Sequence, residues 1–271
     1  MTLRLGCTLP TSLSPTALRE FAVTAEGLGY DHLSVPEHLV STEPAYESLT
    51  LVAFLAAVTT RIELATAMTI LPHRPVVLAA KQAAQLALLS GDRLRLGVAI
   101  GSDLAESAAL GVARETRGAL FEEQVRALRL LWTEPEAHYD GEHVAFSGVT
   151  LTPRPRPIPL WMGGGTLRTG GRPRSLHRIA ALADGFTMSA LLANRVNRAA
   201  GLITELRTAV AEAGRDAAAF GIEARLRPEP GKRSATWRSF ADAWRSAGAT
   251  HLTVTTDDVS LLAPLHATLT G

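Results

Sequence analysis

Short apolar runs alternate with amphipathic stretches along almost the whole chain, and this alternation constrains the fold more than any other feature. Strand-like runs cover residues 3–9, 32–35, 62–68, 94–100, 160–162, 185–188, 221–225 and 251–255. Helical periodicity fills the gaps, at 15–28, 45–59, 76–89, 116–131, 173–183, 193–213, 236–247 and 259–269. Pro15 and Pro173 stand in first turns, where the missing N–H costs nothing. Gly29, Gly214 and Gly248 fall just past helix ends, where a left-handed residue closes the helix. Eight strands, each followed by a helix, is the count of a (β/α)8 TIM barrel, an α/β fold. An open doubly wound sheet is the competing arrangement, and both the count and the length of 271 residues favour the barrel.

One segment breaks the rhythm. Residues 133–159 carry prolines at 135, 153, 155, 157 and 159, with short strands expected at 143–146 and 149–151 around a Ser147-Gly148 turn. This two-stranded insertion between strands four and five has no core of its own, so residues 1–271 read as a single domain.

The stretch from Ser90 to Gly101 is the most pointed local signal. Gly91 stops a helix, and a strand follows in which Leu94, Leu96, Val98 and Ile100 alternate with Arg95, Gly97 and Ala99. One face is bulky and the other, beyond Arg95, is nearly bare. A bare face admits a flat ligand against the backbone or a closely packed neighbour, and the segment alone does not choose.

Composition narrows the function. A net charge of +1 with dispersed arginines argues against a nucleic-acid or membrane-surface role. The lone Cys7 forms no intrachain disulfide and reads as a buried, inert thiol in a reducing interior. No run approaches the roughly 20 apolar residues that span a bilayer, and the first residues lack an apolar signal core, so a cytoplasmic protein is expected.

In a barrel of this kind the chemistry sits at the carboxyl ends of the strands. His38 follows strand two and is the best acid–base candidate, with Glu37 beside it to orient or charge it. Gly163, Gly164, Gly165 and Thr166 follow strand five and could cradle a phosphate with backbone N–H groups, Arg168 supplying a further donor. His73, between Pro72 and Arg74, reads as part of a surface turn. The other histidines, at 32, 138, 143, 177, 251 and 266, lack metal-ligand spacing, so no metal is expected. No nucleophile elbow, Walker A motif or dinucleotide fingerprint is present, and Lys81 lies inside a helix.

Several ordered motifs carry a resemblance. Ala25-Glu-Gly-Leu-Gly-Tyr-Asp31 with Pro36-Glu37-His38, then Thr59-Thr-Arg-Ile-Glu-Leu64, then Ala80-Lys81 through Ser90–Gly101 form its first half. Glu106, Leu110-Gly111, Arg117, Glu123, Leu130-Leu-Trp132, Pro157-Ile-Pro-Leu-Trp-Met-Gly163-Gly164 and Ala183-Asp-Gly185 complete it. Over roughly residues 1–190 the chain resembles the bacterial luciferase-like flavin monooxygenases. The resemblance implies a TIM barrel that binds coenzyme F420, a deazaflavin, or alternatively FMN. The ring would lie against a bulge at Ala67-Met68, often a non-prolyl cis peptide in such relatives, and against the strand-four end at Ala99 and Gly101. Met162, Gly163, Gly164, Gly165 and Thr166 would hold the rest of the cofactor, and Met68 and Met188 would wall the substrate pocket. The chain carries Glu37 where relatives often have Asp, Asp92 and Ala99 where they have glycine, and Ser102 where many have Trp or an acid. The implied function is hydride transfer between reduced F420 and a small organic substrate. An FMN-dependent monooxygenase and a non-catalytic flavin-binding or partner subunit are the alternatives. A homodimer is expected from the resemblance alone.

Overall fold

The first helix shows how local chemistry sets the elements. Ser14 Oγ accepts from Ala17 N at 3.3 Å, Pro15 opens α1 (Pro15–Leu28), and Gly29 ends it with φ of 92°. The computed structural model describes residues 3–42, 44–163, 174–189, 195–228 and 234–270. Among these the strands are β1 (Arg4–Thr8), β2 (His32–Val35), β3 (Glu63–Thr66), β4 (Thr69–Ile70), β5 (Leu94–Ala99), β6 (Ala137–Asp140), β7 (Ala145–Val149), β8 (Leu160–Gly163), β9 (Gly185–Thr187), β10 (Gly221–Leu226) and β11 (His251–Val254). The remaining helices are α2 (Ser48–Val58), α3 (Val76–Leu89), α4 (Leu104–Ala109), α5 (Arg117–Thr133), α6 (Arg174–Leu182), α7 (Val196–Glu212), α8 (Ser234–Ser246) and α9 (Leu262–Thr270).

The parallel strands run in the order β3-β2-β1-β11-β10-β9-β8-β5, and β5 pairs back onto β3. The sheet is therefore a closed eight-stranded (β/α)8 barrel. None of the described helices is long and apolar enough to cross a membrane.

Strand alternation sends most aliphatic side chains outward to the helices and leaves the interior to polar residues, glycines and a few large side chains such as Trp161. Leu94, Leu96 and Val98 of β5 join the core between sheet and helices, while Arg95 and Gly97 face inward. Inside, large side chains lie over glycines of neighbouring strands. A Cβ at Gly221 would sit 2.1 Å from Trp161 Cζ2, and one at Gly6 would sit 2.1 Å from His32 Nε2. The lower interior is a charged layer. Arg95 Nε donates to Glu63 Oε1 at 2.6 Å and Nη1 to Glu223 Oε2 at 2.7 Å, with the guanidinium stacked 4.2 Å over Trp161. Burial alone would raise the Glu223 carboxyl, but Arg95 and its neighbours hold it down at about 2. Burial and then Arg95 push His251 down to about 3, and the same causes push His32 well below its ordinary value. Cys7 is fully buried and desolvation raises its thiol, in keeping with an inert side chain.

Three expectations need correction. The insertion is a hairpin of β6 and β7, so Ser147 and Gly148 lie inside a strand and the turn is at Gly141–Val144. The reason is a distant carboxylate: Glu123 accepts from Glu142 N, His143 N and Val144 N at 3.2, 2.9 and 2.8 Å, which fixes the turn there. Helix α2 starts at Ser48 rather than at residue 45, because Glu47 caps it by accepting from Leu49 N and Thr50 N at 3.0 and 2.6 Å. The third barrel strand is split, β3 ending at Thr66 and β4 resuming at Thr69.

Candidate active site

The split in the third strand shapes one side of the barrel mouth. Leu64 and Ala65 pair with Leu94 and Arg95, but Thr69 and Ile70 pair with Val98 and Ala99, one residue out of step. The extra residue is accommodated at Ala67-Met68, whose peptide bond is cis. Where the backbone ladder lapses, the Thr66 side chain replaces it. Its Oγ1 donates to Gly97 O at 2.7 Å and accepts from Gly97 N at 2.9 Å. Met68 folds inward over two glycines, with a Cβ at Gly97 falling 2.7 Å from Met68 Cε and one at Gly163 2.5 Å from Met68 Cγ. The bare face of β5 is thus filled at Gly97 by the chain itself, and only its end remains open to a ligand.

Glu37 anchors this bulge from β2. Its side chain is fully buried against Arg74, Nη2 donating to Oε1 at 2.6 Å and Nη1 to Oε2 at 2.9 Å. Ser48 N and Oγ donate to Oε1 at 3.1 and 2.6 Å, and Ile70 N donates to Oε2 at 2.7 Å. Because Ser48 gives its proton to Glu37, Thr69 Oγ1 is the donor in the 2.7 Å contact with Ser48 Oγ. Burial would lower the Arg74 guanidinium, but Glu37 and Glu47 more than offset it and hold it above its ordinary value. The expectation that Glu37 orients or charges His38 is therefore corrected. Among the described residues none of the carboxylate's hydrogen bonds goes to His38, and they tie β4, the start of α2 and Arg74 together.

His38 itself is exposed on the loop after β2, and its ring makes no hydrogen bond among the described residues. Its loop is held by Glu106 of α4, a buried carboxylate that accepts from Leu39 N and, at 3.0 Å, from Val40 N. Asp103 caps α4 through Ala105 N and Glu106 N at 2.8 and 3.1 Å, which sets the position of Glu106. Gly101 has φ of 90°, a conformation glycine adopts freely, and its carbonyl accepts from Arg117 Nη1 at 3.0 Å. His73 is not in a surface turn as expected. It is half-buried in a short 3-10 helix beneath Gly101, with Nε2 3.0 Å from Ser107 Oγ, and burial lowers its pKa.

The other expected site residues divide clearly. Ala67, Met68, Ala99, Gly101 and Gly163 lie together, half-buried, at the ends of adjacent strands. Met162 lies between the inward-facing Trp161 and Gly163, so alternation turns it to the helix-facing core rather than the mouth. Met188 is likewise buried in the core, and only its carbonyl reaches inward. Gly164, Gly165, Thr166 and Arg168 lie outside the described residues. Sequence reading missed the roles of Arg74 and Ser48, whose partner Glu37 is distant in the chain. It also missed Arg225, although a charge alternating with Ile222, Ala224 and Leu226 was the available signal.

A closed parallel barrel whose mouth combines a bulged third strand, a bare strand-four end and an exposed histidine after strand two defines a TIM-barrel protein with its candidate site at the carboxyl ends of the strands. The chain belongs to the luciferase-like monooxygenase family, whose model matches residues 2–262. It is similar to an uncharacterized protein of Mycobacterium tuberculosis, with 30% identity over 194 residues, 59% of this chain and 67% of that one. It is also similar to the F420-dependent glucose-6-phosphate dehydrogenase of Kineococcus radiotolerans, with 31% identity over 161 residues, 56% of this chain. That match takes in 48% of the relative's length. Among solved structures, an F420-dependent secondary alcohol dehydrogenase superposes with a TM-score of 0.83 at 15% identity, all of both chains being covered, which speaks to the fold.

Proposed function

We propose that this chain is an oxidoreductase that uses coenzyme F420 in hydride transfer to or from a small organic substrate. The observation that carries the reading is the half-exposed edge formed by Ala67, Met68, Ala99, Gly101 and Gly163. Strand β5 is fully buried from Leu94 to Val98 and opens only at Ala99, where the bulge beside it also opens. A flat tricyclic ring needs such a wall, with little projecting from it, and Ala99 adds no more than a methyl. The residues present fit a deazaflavin, and the names of the similar F420-dependent proteins support it.

When bound, the reduced deazaflavin supplies the hydride. The chain supplies position and a proton. His38, exposed on the loop after β2, the strand next to β3, gives or takes the accompanying proton at an imidazole nitrogen. Glu106 positions its loop, and the Glu37–Arg74 clamp positions the wall. Gly163 with the following Gly164, Gly165 and Thr166 would receive the cofactor phosphate.

Titration of the purified protein with F420 and, separately, with FMN, followed by cofactor fluorescence, tests the reading. Saturable F420 binding with no FMN binding is expected. FMN binding without F420 affinity would overturn it in favour of an FMN-dependent monooxygenase, and binding of neither would favour a non-catalytic barrel.

A further inference from the structure

We infer that the barrel mouth holds a carboxylate subsite, built by Arg225 with Thr8 and Thr255, and that the substrate of this chain is a small carboxylic acid. The proposed cofactor wall occupies the ends of β3, β5 and β8, whereas these three residues belong to β10, β1 and the residue after β11. They face that wall across the mouth. The assignment of this side to substrate rests on the cofactor reading, while the anion recognition itself does not.

Arg225 is an inward-facing guanidinium that the described residues leave incompletely partnered. It is 9% exposed. Its Nε donates to Met188 O and its Nη1 to Thr8 Oγ1, both at 3.3 Å, the long end of the hydrogen-bond range. Its Nη2 lies 3.7 Å from Glu223 Oε1, an ion-pair distance but not a hydrogen bond, and that oxygen has no hydrogen-bond partner. The other Glu223 oxygen is taken by Arg95 at 2.7 Å. Among the described residues, N–H groups on both Nη1 and Nη2 therefore remain unspent.

Other arginines of the barrel show what a structural guanidinium looks like here. Arg93 donates to Ser90 O, Thr59 Oγ1, Ile62 O, Ala56 O and Thr59 O at 2.6 to 3.2 Å. Arg95 has two carboxylates and an aromatic face. Arg225, among the described residues, has two long hydrogen bonds and the wide ion pair with Glu223, reaching from the carbonyl just past β9 to the end of β1.

The hydroxyls complete the receptor. Thr8 and Thr255 are half-buried at the strand ends, with Oγ1 atoms 3.1 Å apart. Whichever donates, one hydroxyl proton is used between them and, among the described residues, the other is free to point at a ligand, because Arg225 only donates. A planar pair of acceptor oxygens with one negative charge matches a guanidinium edge plus one O–H. A phosphate dianion would call for a second cation. Of the lysines, Lys81 is spent on Thr152 O and Lys232 lies outside the described residues.

The test uses the full-length protein without added cofactor, with benzoate as probe, benzamide as its uncharged counterpart and inorganic phosphate as competitor, read by isothermal titration and ligand-observed NMR. Benzoate is expected to bind at least about tenfold more tightly than benzamide and to lose roughly that factor in Arg225→Met. Arg225→Lys, which keeps the charge but not the fork, and Thr8→Val are expected to weaken it by lesser factors. Circular dichroism checks the fold of each variant, and if Arg225→Met does not fold, Arg225→Lys and Thr8→Val carry the test. The inference is overturned if benzoate fails to bind or binds no better than benzamide. Unchanged affinity in the folded variants would overturn it too, as would phosphate displacing benzoate as the tighter ligand. The F420 titration is read separately. Benzoate binding without F420 binding would sink the cofactor reading and leave the subsite standing, and the converse would do the reverse.

Discussion

Replacing Gly97 by alanine puts a methyl where the bulge and the barrel interior meet. The new Cβ would lie 2.0 Å from the carbonyl oxygen of Thr66, 2.7 Å from Met68 Cε and 3.2 Å from Met68 Sδ. The thioether can swing away, since its end is flexible. The Thr66 carbonyl cannot, because Thr66 is paired with Val35 of β2 on one side and its Oγ1 is bound to Gly97 N and O at 2.9 and 2.7 Å on the other. Overpacking of this kind costs about 1–3 kcal/mol, and the backbone contact places Gly97→Ala at the upper end. For a chain of this size each kcal/mol moves Tm by roughly 2–4 °C, so a fall of about 6–12 °C is expected. Gly27→Ala is the control, because a Cβ there meets nothing within 4 Å inside α1 and should stabilise by about 0.5–1 kcal/mol. Both are measured by differential scanning fluorimetry, with F420 affinity of Gly97→Ala measured alongside and expected to weaken as the wall shifts. A Gly97→Ala protein with the wild-type Tm and F420 affinity would refute the assignment of this glycine to the packing of the bulge.

Other substitutions separate structure from chemistry. Arg74→Met leaves the buried Glu37 carboxylate without its partner and should cost about 3–5 kcal/mol in urea unfolding, whereas an effect under 1 kcal/mol would show the clamp to be dispensable. His38→Ala should leave Tm within about 1 °C of wild type, the side chain being exposed, while lowering turnover by roughly 10²–10⁴-fold. Unchanged turnover would end its acid–base assignment. Acid should unfold the protein in two stages. His32 and His251 have folded pKa values depressed by burial, so below about pH 6.5 the unfolded chain binds protons that the native state does not, and stability falls as pH drops towards about 3. Glu26 is also held at about 2: desolvation opposes this, but hydrogen bonds from Ile62, Arg61 and Thr60 outweigh it, so its contribution is lost as pH falls from about 4.5 to 2. A Tm that does not decline between pH 6.5 and 5 would contradict the first stage.

The order of elements was legible in the chain because periodicity and caps are local. Pro15 and Gly29 bracket α1 at the expected residues, and α3 and β2 also fall where the pattern puts them. The alternation of Leu94, Leu96 and Val98 with Arg95, Gly97 and Ala99 correctly marks two faces of β5, yet it is silent on which face meets what. Closure of the barrel turned the bare face inward, where Met68 fills Gly97 and only Ala99 onward stays open. The same holds for charge. Glu223 and Arg225 alternate with Ile222, Ala224 and Leu226 and would suit a solvated face, but they lie inside the barrel. Glu37 and His38 are neighbours in the chain, yet successive side chains diverge, so one clamps the bulge while the other faces solvent. Partners from three other elements decide that division: Arg74, Ser48 and Glu106. What the sequence determined by itself was the set of elements and the residue types at their ends, since these follow from interactions within a few residues. What only the tertiary structure decided was inside against outside and the pairing of charges, since these depend on strands and helices that meet only when the barrel closes.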